Sequence, residues 1–425
     1  MNFTVLHYFV FIYTLSMNIA MFTDAFFPRI NGVAISVKSY ADMLVKLGHK
    51  VCIVCCNYEK STKDKKFSKI YYDNNTENSS LTILRVPTYK VFFSKEDRAG
   101  RLFQWKKLKK ELDNFNPDIV HVNSEFVMGY FGARYAKKRK VPMVFTFHTL
   151  WEDYVEGYIH FMPTQSAKRM AKNLIKFYLK RADELICPTQ RIVDVVKQYK
   201  VNRNTDILPT GIPEEMCIVD SHKQQEFKKQ IYEKFPEVKD KKILLYVGRV
   251  VKEKNLDFLF PVLFNVKKEI PDAVLMIVGG GPELERLRRK AKELCCEDSV
   301  CFTDYQPRDS LVYFYSLADV FVFPSCTETQ GLVTIEAMLS GLPVVAIGEM
   351  GTVDVMQGNN GGFMVGKRHE EFSDKVILLL KNGQVYDEKK QEALSWGKKW
   401  SIAALTPRLI EFYKKATEIK NSSKK

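Results

Sequence analysis

A strand, a loop and a helix in the second half of the chain are suited to binding a diphosphate. The apolar run VFVFP is expected to form a strand, and a helix is expected from about Gly331 within residues 324–346. The backbone N–H groups of Gln330, Gly331 and Leu332 then lie unpaired at a helix N-terminus, where the helix dipole also favours an anion. Glycine at position 331 lets the backbone approach a phosphate closely.

Two glutamates accompany this helix start. Glu328 lies in the loop, and Glu336 lies just over one turn into the helix. A carboxylate at position 336 can accept hydrogen bonds from both hydroxyls of a ribose. Acidic residues are also favoured at helix starts by the dipole alone, which is the simpler interpretation of Glu336 taken by itself. The complete strand, loop and helix favour nucleotide binding.

Two cations follow another predicted strand. Arg249 and Lys254 lie in YVGRVVKEKN, residues 246–255. Two fixed cations can neutralise a diphosphate leaving group, as a metal ion does in other enzymes, although basic residues after a strand are usually only solvated. The glycine-rich turn at residues 278–285 is not the fingerprint G-x-G-x-x-G and has no well-placed acid about 20 residues on. A nicotinamide dehydrogenase is therefore disfavoured.

The first half of the chain contributes a glycine and a histidine. PRINGV, residues 28–33, places Gly32 at a predicted helix start, and TFHTLWEDY, residues 146–154, places His148 at a predicted strand end. A lone histidine is more often structural. At the carboxyl end of a strand in an α/β sheet, however, it is well placed to contact a bound sugar.

Strands and helices alternate from Met17, and the pattern starts again after residue 212. Such alternation indicates parallel sheets with helices on both faces, whose ligands bind beyond the carboxyl ends of the strands. We therefore expect an α/β protein of two doubly wound, Rossmann-like halves facing across a cleft. A charged, helix-like stretch is expected over residues 220–242. The predicted strands lie within residues 18–23, 50–55, 81–86, 118–123, 142–148, 184–189, 242–250, 273–281, 299–305, 319–325 and 342–348.

The chain of 425 residues carries a net charge of +15 that is unevenly distributed. Residues 1–208 hold 33 Lys and Arg against 19 Asp and Glu, a balance of +14, whereas residues 209–425 hold 32 against 31, a balance of +1. A basic half beside a neutral half indicates contact with nucleic acid or an anionic membrane, or simply a solvated surface. The sequence contains no nucleic-acid-binding motif, which disfavours a nucleic-acid partner.

One predicted helix favours the membrane. Residues 164–181 carry four lysines at a spacing of four, with apolar residues on the other face. Basic amphipathic helices can lie on anionic membranes, although a core-facing helix with solvated lysines has the same pattern. KKLKK at 106–110 and KKRK at 137–140 add positive charge. The four lysines are Lys168, Lys172, Lys176 and Lys180.

The ends of the chain and its cysteines carry less information. Residues 3–15 are apolar apart from Thr4, His7 and Thr14, and they are too few to span a bilayer comfortably. We therefore expect either that Met17 is the natural start or that residues 1–16 are a loosely attached extension, with a membrane anchor as the alternative. The nine cysteines include no second C-x-x-C that would complete a zinc site, which favours free thiols in a reducing compartment. Helical segments interrupted at Pro407 are expected to close the chain.

Together these motifs resemble the retaining glycosyltransferases of family four, which have the GT-B fold. The likeness runs from Met17 to about residue 420. Glu328 and Glu336 match the E-x7-E signature of that family. Arg249 and Lys254 match its G-R-x-x-x-x-K segment, and NGV matches its amino-terminal glycine loop. FTDAFFPRINGVAISV and ETQGLV look most like the bacterial 1,2-diacylglycerol 3-alpha-glycosyltransferases, the monoglycosyldiacylglycerol synthases.

The resemblance implies a site without a metal and a role for each matched residue. Glu328 and His148 are implied to be catalytic and, with Gln330, to contact the donor sugar. Glu336 is implied to bind the ribose. Tyr305 is implied to bind the base, although Asp304 beside it stands where relatives commonly have glycine. The residues implied to bind the diphosphate are Gly32, Arg249, Lys254, Gly331 and Leu332.

The resemblance also implies domains and an activity. Residues 17–212 correspond to an acceptor and membrane-facing domain, 213–395 to a donor-binding domain, and 396–425 to a helix that packs back on the first domain. We expect transfer of glucose or galactose, with retention, from a UDP-sugar to 1,2-diacylglycerol by a peripheral protein at the cytoplasmic face of the membrane, without a cofactor. A phosphoinositol, a lipopolysaccharide precursor or a soluble sugar is the alternative acceptor.

Overall fold

The structure is a computed structural model in which the chain divides into two compact units. The described residues up to Gly211, together with those from Leu405 onward, form unit 1, and Ile212–Ala404 form unit 2. The extension expected over residues 1–16 lies outside the described residues, apart from Ser16. The described residues are 16–29, 31–58, 70–72, 79–91, 97–149, 163–201, 203, 205–328, 330–358 and 360–422.

Unit 1 is built on an eight-stranded sheet accompanied by a small antiparallel pair. The sheet strands are β1 Asn18–Thr23, β2 Lys50–Cys56, β3 Tyr71–Tyr72, β4 Leu81–Val86, β7 Ile119–Val122, β8 Met143–Thr146, β9 Glu184–Cys187 and β10 Thr205–Ile207; the pair is β5 Thr88–Lys90 and β6 Arg98–Gly100. In the order β10–β9–β8–β7–β1–β2–β4–β3 only β3 and β4 are antiparallel neighbours. The order reverses between β1 and β7, and ligands of such sheets bind at this switch point.

Helices cover the sheet of unit 1 through apolar faces. The helices are α1 Gly32–Lys46, α2 Trp105–Phe115, α3 Val127–Arg139, α4 Thr164–Leu179 and α5 Gln190–Gln198. The start of α1 is capped by Asn31, whose Oδ1 accepts a hydrogen bond of 2.8 Å from the backbone N–H of Ala34. The strands between the helices are nearly continuous apolar runs because a parallel sheet is buried on both faces.

Unit 2 is built on a six-stranded parallel sheet. Its strands are β11 Lys242–Val247, β12 Ala273–Val278, β13 Val300–Phe302, β14 Val320–Phe323, β15 Val344–Ile347 and β16 Gly362–Val365. Their order is β13–β12–β11–β14–β15–β16, which reverses between β11 and β14. Unit 2 is therefore doubly wound as well, with its own switch point at the carboxyl ends of β11 and β14.

The helices of unit 2 precede, connect or follow its strands. They are α6 Ser221–Lys234, α7 Leu259–Glu269, α8 Leu284–Glu293, α9 Leu311–Leu317, α10 Leu332–Leu339, α11 Gly351–Met356, α12 His369–Lys381 and α13 Gly383–Lys398. The expectation of one helix-like stretch over residues 220–242 is wrong. Pro236 disfavours helical backbone at Phe235, so α6 ends at Lys234 and β11 begins at Lys242.

Both units also contain short 3-10 helices. They lie at Leu102–Gln104, Glu214–Cys217, Pro236–Val238, Lys252–Lys254, Leu256–Phe258, Glu297–Ser299 and Arg308–Ser310.

The last helix, α14 Ile402–Ser422, is continuous through Pro407. The expected interruption is therefore wrong. A proline inside a helix costs about 3 kcal/mol, and the helix survives because Leu405, Leu409 and Tyr413 bury its inner face. Within unit 1, the Tyr413 hydroxyl lies 2.9 Å from Nδ1 of His121.

Candidate active site

The loops that carry the expected donor ligands leave unit 2 at its switch point. The loop after β11 holds Lys254 and the loop after β14 holds Glu328, and β11 and β14 are neighbouring strands. Three contacts tie the loops together: Lys254 Nζ to Glu328 Oε1 at 2.5 Å, Thr327 Oγ1 to the carbonyl of Glu253 at 3.3 Å, and Asn255 Nδ2 to the carbonyl of Pro324 at 3.4 Å.

The two cations expected at the diphosphate differ in their surroundings. Lys254 pairs with Glu328, and the two side chains are only 13% and 16% exposed. Arg249 is 71% exposed and pairs with Glu253 at 3.0 Å. Lys254 is thus fixed by a tertiary contact, whereas Arg249 extends into solvent. To bind a phosphate, the Lys254 ammonium has to exchange or share its carboxylate partner.

Glu336 is a buried carboxylate held by two side chains that the sequence analysis missed. Arg308 Nη2 donates to its Oε1 at 2.6 Å, and the Tyr315 hydroxyl donates to its Oε2 at 3.0 Å. Burial, together with the negative charge of Glu336, raises the pKa of Tyr315 well above its usual value, so its hydroxyl remains a donor. Each carboxylate oxygen keeps a further lone pair.

The start of α10 has the geometry expected of an anion site. Gly331 has a φ of +74°, a left-handed conformation that favours glycine, and α10 begins at Leu332. The first backbone N–H groups of a helix have no partner within it. Gln330 is buried immediately before this turn, at 6% exposure.

The glycine-rich turn after β12 packs against the turn after β11. A Cβ at Gly279 would lie 1.9 Å from the carbonyl oxygen of Gly248, and a Cβ at Gly281 would lie 2.1 Å from that of Val250. The N–H of Val250 donates to the carbonyl of Gly280 at 2.9 Å. These glycines are therefore required for the close approach of two backbone segments.

Asp304 occupies a position that the backbone makes favourable for glycine. Its φ is +62°, in the left-handed region that aspartate adopts more readily than most residues. Its carbonyl accepts from the N–H of Gly279 at 3.0 Å, and its carboxylate pairs with Arg288 at 2.9 Å. The loop shape is thus compatible with aspartate, and the adjacent Tyr305 is 74% exposed.

In unit 1 the expected site residues follow strands at the switch point or one strand beyond it. Gly32 opens α1 in the loop that follows β1, and a Cβ there would meet no atom of the described residues within 4 Å. Packing against the described part of the chain therefore does not explain the glycine. His148 lies two residues beyond the end of β8, which pairs with β7.

His148 contacts Asn123, another residue that the sequence analysis did not single out. Its Nε2 lies 3.1 Å from Oδ1 of Asn123, which directly follows β7. Burial lowers the pKa of His148 to about 4, so the half-buried ring is neutral near pH 7. The available signal for Asn123 was its polar side chain at the end of a predicted strand, close to His121.

The four lysines expected to touch a membrane lie on α4 and at its C-cap. Lys168, Lys172 and Lys176 are half-buried and Lys180 is exposed. The ammonium of Lys172 lies 4.8 Å from the centre of the Tyr199 ring, and that of Lys176 lies 6.0 Å from it. Two of the four are therefore partly engaged in cation–π contacts.

Within the described ranges, the structure shows neither a candidate membrane-spanning helix nor a candidate metal site. No helix there is both long enough and apolar enough to cross a bilayer. No cluster of three or more His, Cys, Asp or Glu side chains suited to a metal ion was found in the same ranges.

Comparisons with known proteins identify the family. Residues 30–215 match the model "Glycosyltransferase Family 4", and residues 227–397 match "Glycosyl transferases group 1". The chain is 33% identical to the alpha-monoglucosyldiacylglycerol synthase of Streptococcus pneumoniae over 333 residues, which cover 78% of this chain and 71% of that protein. The chain belongs to the family-four glycosyltransferases. The family resemblance drawn from the motifs is confirmed.

Further comparisons of this glycosyltransferase agree. It is 27% identical to the alpha-monoglucosyldiacylglycerol synthase of Acholeplasma laidlawii over 87% of this chain and 89% of that protein. Its fold matches the crystal structure of Anabaena Alr3699/HepE in complex with UDP and glucose with a TM-score of 0.67 and 16% identity, over 93% of this chain and 98% of that one. The expected GT-B fold is confirmed. Membership of a glycosyltransferase family also argues against the two alternatives, a nicotinamide dehydrogenase and a nucleic-acid-binding protein.

Proposed function

We propose that this glycosyltransferase moves glucose or galactose from a UDP-sugar to 1,2-diacylglycerol, giving an alpha-monoglycosyl diacylglycerol with retention and without a metal ion. The observation that carries the proposal is the group of donors and carboxylates at the switch point of unit 2. The names of the relatives in Streptococcus pneumoniae and Acholeplasma laidlawii support the lipid product, and Anabaena Alr3699/HepE supports UDP as the nucleotide.

The proposed reaction exchanges one bond for another at the hexose C1. The bond from C1 to the β-phosphate oxygen breaks, and a bond from C1 to the acceptor hydroxyl oxygen forms on the same face. The hydroxyl proton passes to the departing phosphate. Lys254, Arg249 and the free amides at the start of α10 stabilise the negative charge that develops on this phosphate.

The remaining site residues are proposed to orient the donor. Glu336, held by Arg308 and Tyr315, accepts hydrogen bonds from the ribose hydroxyls through its remaining lone pairs. When Lys254 turns to the diphosphate, Glu328 becomes available to the hexose hydroxyls beside Gln330.

Further proposed roles complete the donor site. Gly32 is proposed to leave room for the diphosphate, since no atom of the described residues fills the space of its missing Cβ. Tyr305 is proposed to face the base and His148 the hexose. The segments 17–212, 213–395 and 396–425 are proposed as the acceptor domain, the donor domain and the returning helix.

An exposed apolar surface on unit 1 supports the proposed lipid acceptor. Leu102, Phe103, Phe126, Tyr130 and Met170 are exposed large apolar side chains that precede or lie along α2, α3 and α4, and we call them the apolar face. Their exposures run from 38% for Tyr130 to 65% for Phe103. Clusters of exposed apolar side chains are unusual on a freely soluble surface and mark interaction sites.

Ring contacts hold the three helices of this face side by side. The Arg134 guanidinium lies 4.6 Å from the ring centre of Trp105, which joins α3 to α2. The rings of Tyr130 and Phe177 are 6.3 Å apart, which joins α3 to α4. We propose that the apolar face, carried on these linked helices, inserts into the interface of a bilayer.

Cations accompany the apolar face. Lys106, Lys110, Lys137 and Lys138 are exposed on α2 and α3, and Arg181 lies 3.6 Å from the Phe177 ring centre just after α4. Exposed cations near an anionic surface contribute about 1 kcal/mol each. We propose that this surface, with the four lysines at α4, places the enzyme peripherally on the cytoplasmic face of an anionic membrane.

A panel of donors and acceptors tests the proposed function. Purified enzyme is offered UDP-glucose, UDP-galactose, GDP-mannose and ADP-glucose, each with vesicles containing diacylglycerol or phosphatidylinositol, a lipopolysaccharide precursor, or a soluble sugar. We expect glycosylated diacylglycerol from a UDP-hexose. Turnover with another acceptor and none with diacylglycerol contradicts the proposed acceptor while leaving the enzyme class intact.

A further inference from the structure

The amide of Asn123 presents a defined atom to His148. Its Nδ2 donates to the backbone carbonyl of His121 at 3.4 Å, which leaves Oδ1 to face Nε2 of His148 at 3.1 Å. The backbone of Asn123 is fixed as well, since its N–H donates to the carbonyl of Phe22 at 2.8 Å. With only 4% of its surface exposed, Asn123 has little freedom to turn.

This contact determines where the single hydrogen of a neutral imidazole lies. A carbonyl oxygen only accepts hydrogen bonds, so Nε2 of His148 must carry the hydrogen. Nδ1 then carries a lone pair. No hydrogen bond joins Nδ1 to any residue that the structure describes, and the ring is half-exposed. The described residues therefore leave this lone pair open to another donor.

The neighbouring His121 shows the opposite situation. Its Nε2 lies 2.7 Å from the Thr146 hydroxyl and its Nδ1 lies 2.9 Å from the Tyr413 hydroxyl. Hydroxyl groups both donate and accept, so these partners are compatible with either tautomer. Both nitrogens of His121 are occupied and its ring is buried. His121 therefore serves as an internal reference for His148.

We propose that Asn123 is a positioning residue that fixes His148 as the Nε2–H tautomer, so that Nδ1 accepts a hydrogen bond from a hydroxyl of the transferred hexose. The inference rests on the proposed function for the identity of that hydroxyl. It also gives His148 a defined chemical part. His148 is a neutral acceptor that orients the sugar, and the acceptor proton leaves through the phosphate.

The tautomer is measured directly by long-range 1H–15N correlation spectra of protein labelled with 15N-histidine. We expect a protonated-type shift at Nε2 and an unprotonated-type shift at Nδ1 of His148 in the unliganded wild-type enzyme. A protonated Nδ1, or equal populations of both tautomers, overturns the proposal. This spectrum requires no turnover, so it is read independently of whether the proposed reaction is correct.

Variants connect the tautomer to catalysis. Asn123→Ala is expected to mix the His148 tautomers and to reduce kcat/KM roughly tenfold through loss of an oriented hydrogen bond. Singly deoxygenated UDP-hexoses identify the hydroxyl: one of them reacts more slowly with wild-type enzyme, and Asn123→Ala abolishes that difference. Tyr413→Phe is the control, since it alters only the His121 partner and is expected to leave His148 unchanged.

Two further outcomes decide between a positioning and a merely structural role. Asn123→Asp keeps an acceptor at the same place, and the Nε2–H form of His148 is expected to persist with a raised pKa because of the added charge. An Asn123→Ala enzyme that retains the wild-type tautomer and the wild-type discrimination against deoxy donors contradicts the proposal, whatever its overall activity.

Discussion

At the residue scale, two carboxylates in unit 2 are held in place by neighbouring side chains. Lys254 holds Glu328, while Arg308 and Tyr315 hold Glu336. The sequence pattern predicts the glutamates because they lie at a strand end and a helix start. It does not predict Arg308 or Tyr315, because their contact depends on how the segment around α9 packs beside α10. Only three-dimensional packing brings residues 21 or 28 positions apart onto one carboxylate.

Removing the Tyr315 hydroxyl tests whether Glu336 binds the donor. Tyr315→Phe removes one hydrogen bond to a charged group, which is worth about 1.5 kcal/mol. We expect KM for the UDP-sugar to rise about tenfold with kcat nearly unchanged, because the ribose is remote from the reacting carbon. Steady-state kinetics measure both constants.

A matched control lies on the same helix. The Tyr313 hydroxyl has no hydrogen bond to any residue in the described ranges, so Tyr313→Phe is expected to leave both constants unchanged. A Tyr315→Phe enzyme in which kcat falls and KM stays constant contradicts the role given to Glu336.

At the element scale, the sequence predicts the central strands well and the peripheral strands poorly. The apolar runs from residue 18 to residue 348 correspond to strands because a doubly wound sheet buries both faces. Strands β3, β5, β6, β10 and β16 were not predicted, since each has two to four residues and lies at a sheet edge or outside the main sheets.

Two helix boundaries illustrate opposite uses of proline. Pro236 helps to end α6, which stops at Lys234. Pro407, in contrast, lies inside α14, whose apolar face is buried. Local propensity decides the first case and tertiary packing overrides it in the second. A sequence pattern alone does not distinguish them.

An ion pair between elements gives a pH-dependent prediction. Asp257, just before α7, accepts hydrogen bonds from Arg286 and Lys290 on α8, with Oδ2 2.5 Å from Arg286 Nη2. The hydrogen bonds from Arg286, followed by those from Lys290, lower the pKa of Asp257 from 3.8 to about 2. A lowered folded-state pKa means that the stabilisation is complete above pH 3.8 and is lost as the pH falls towards 2.

The Asp257→Asn variant measures this contribution. Because both side chains are about 40% exposed, solvent screening limits the expected loss in the free energy of unfolding to about 0.5 kcal/mol at pH 7. The difference in the free energy of unfolding between wild type and Asp257→Asn, measured by urea unfolding, is expected to narrow as the pH falls from 7 to 3. The control is Asp309→Asn, whose exposed carboxylate makes no ion pair within the described ranges. A difference that grows on acidification contradicts the assignment.

At the scale of the whole molecule, the features proposed to bind the membrane and those proposed to bind the nucleotide lie in different halves of the chain. Residues 1–208 carry the positive charge and the apolar face, and residues 209–425 carry the loops proposed to bind the nucleotide and almost no net charge. Charge distribution was readable from the sequence. The apolar face was not, because its residues lie in three separate segments of the chain: Leu102 with Phe103, then Tyr130, then Met170.

Paired substitutions test the apolar face. Leu102→Ser with Phe103→Ser removes two of its most exposed side chains, at 59% and 65% exposure. Burial of each in a bilayer interface contributes on the order of 1.5 kcal/mol, so partitioning onto anionic vesicles is expected to fall at least tenfold. Co-sedimentation with vesicles measures the partition coefficient at low and high salt.

The control replaces a side chain of similar exposure in unit 2. Ile218→Ser, at a side chain 67% exposed in unit 2, is expected to leave partitioning unchanged. Replacing Lys168, Lys172, Lys176 and Lys180 by glutamine is expected to remove mainly the salt-sensitive part of binding. Equal losses in the Ile218 control and the paired variant contradict a specific docking surface.

The anomeric configuration of the product tests the central claim most directly. The enzyme is incubated with UDP-glucose or UDP-galactose labelled with 13C at C1 and with vesicles containing diacylglycerol, in the presence of EDTA, and the lipid product is analysed by NMR. We expect a single alpha-linked monoglycosyl diacylglycerol, formed as fast with the chelator as without it. A beta-linked product, or turnover that EDTA abolishes and a divalent ion restores, contradicts the account.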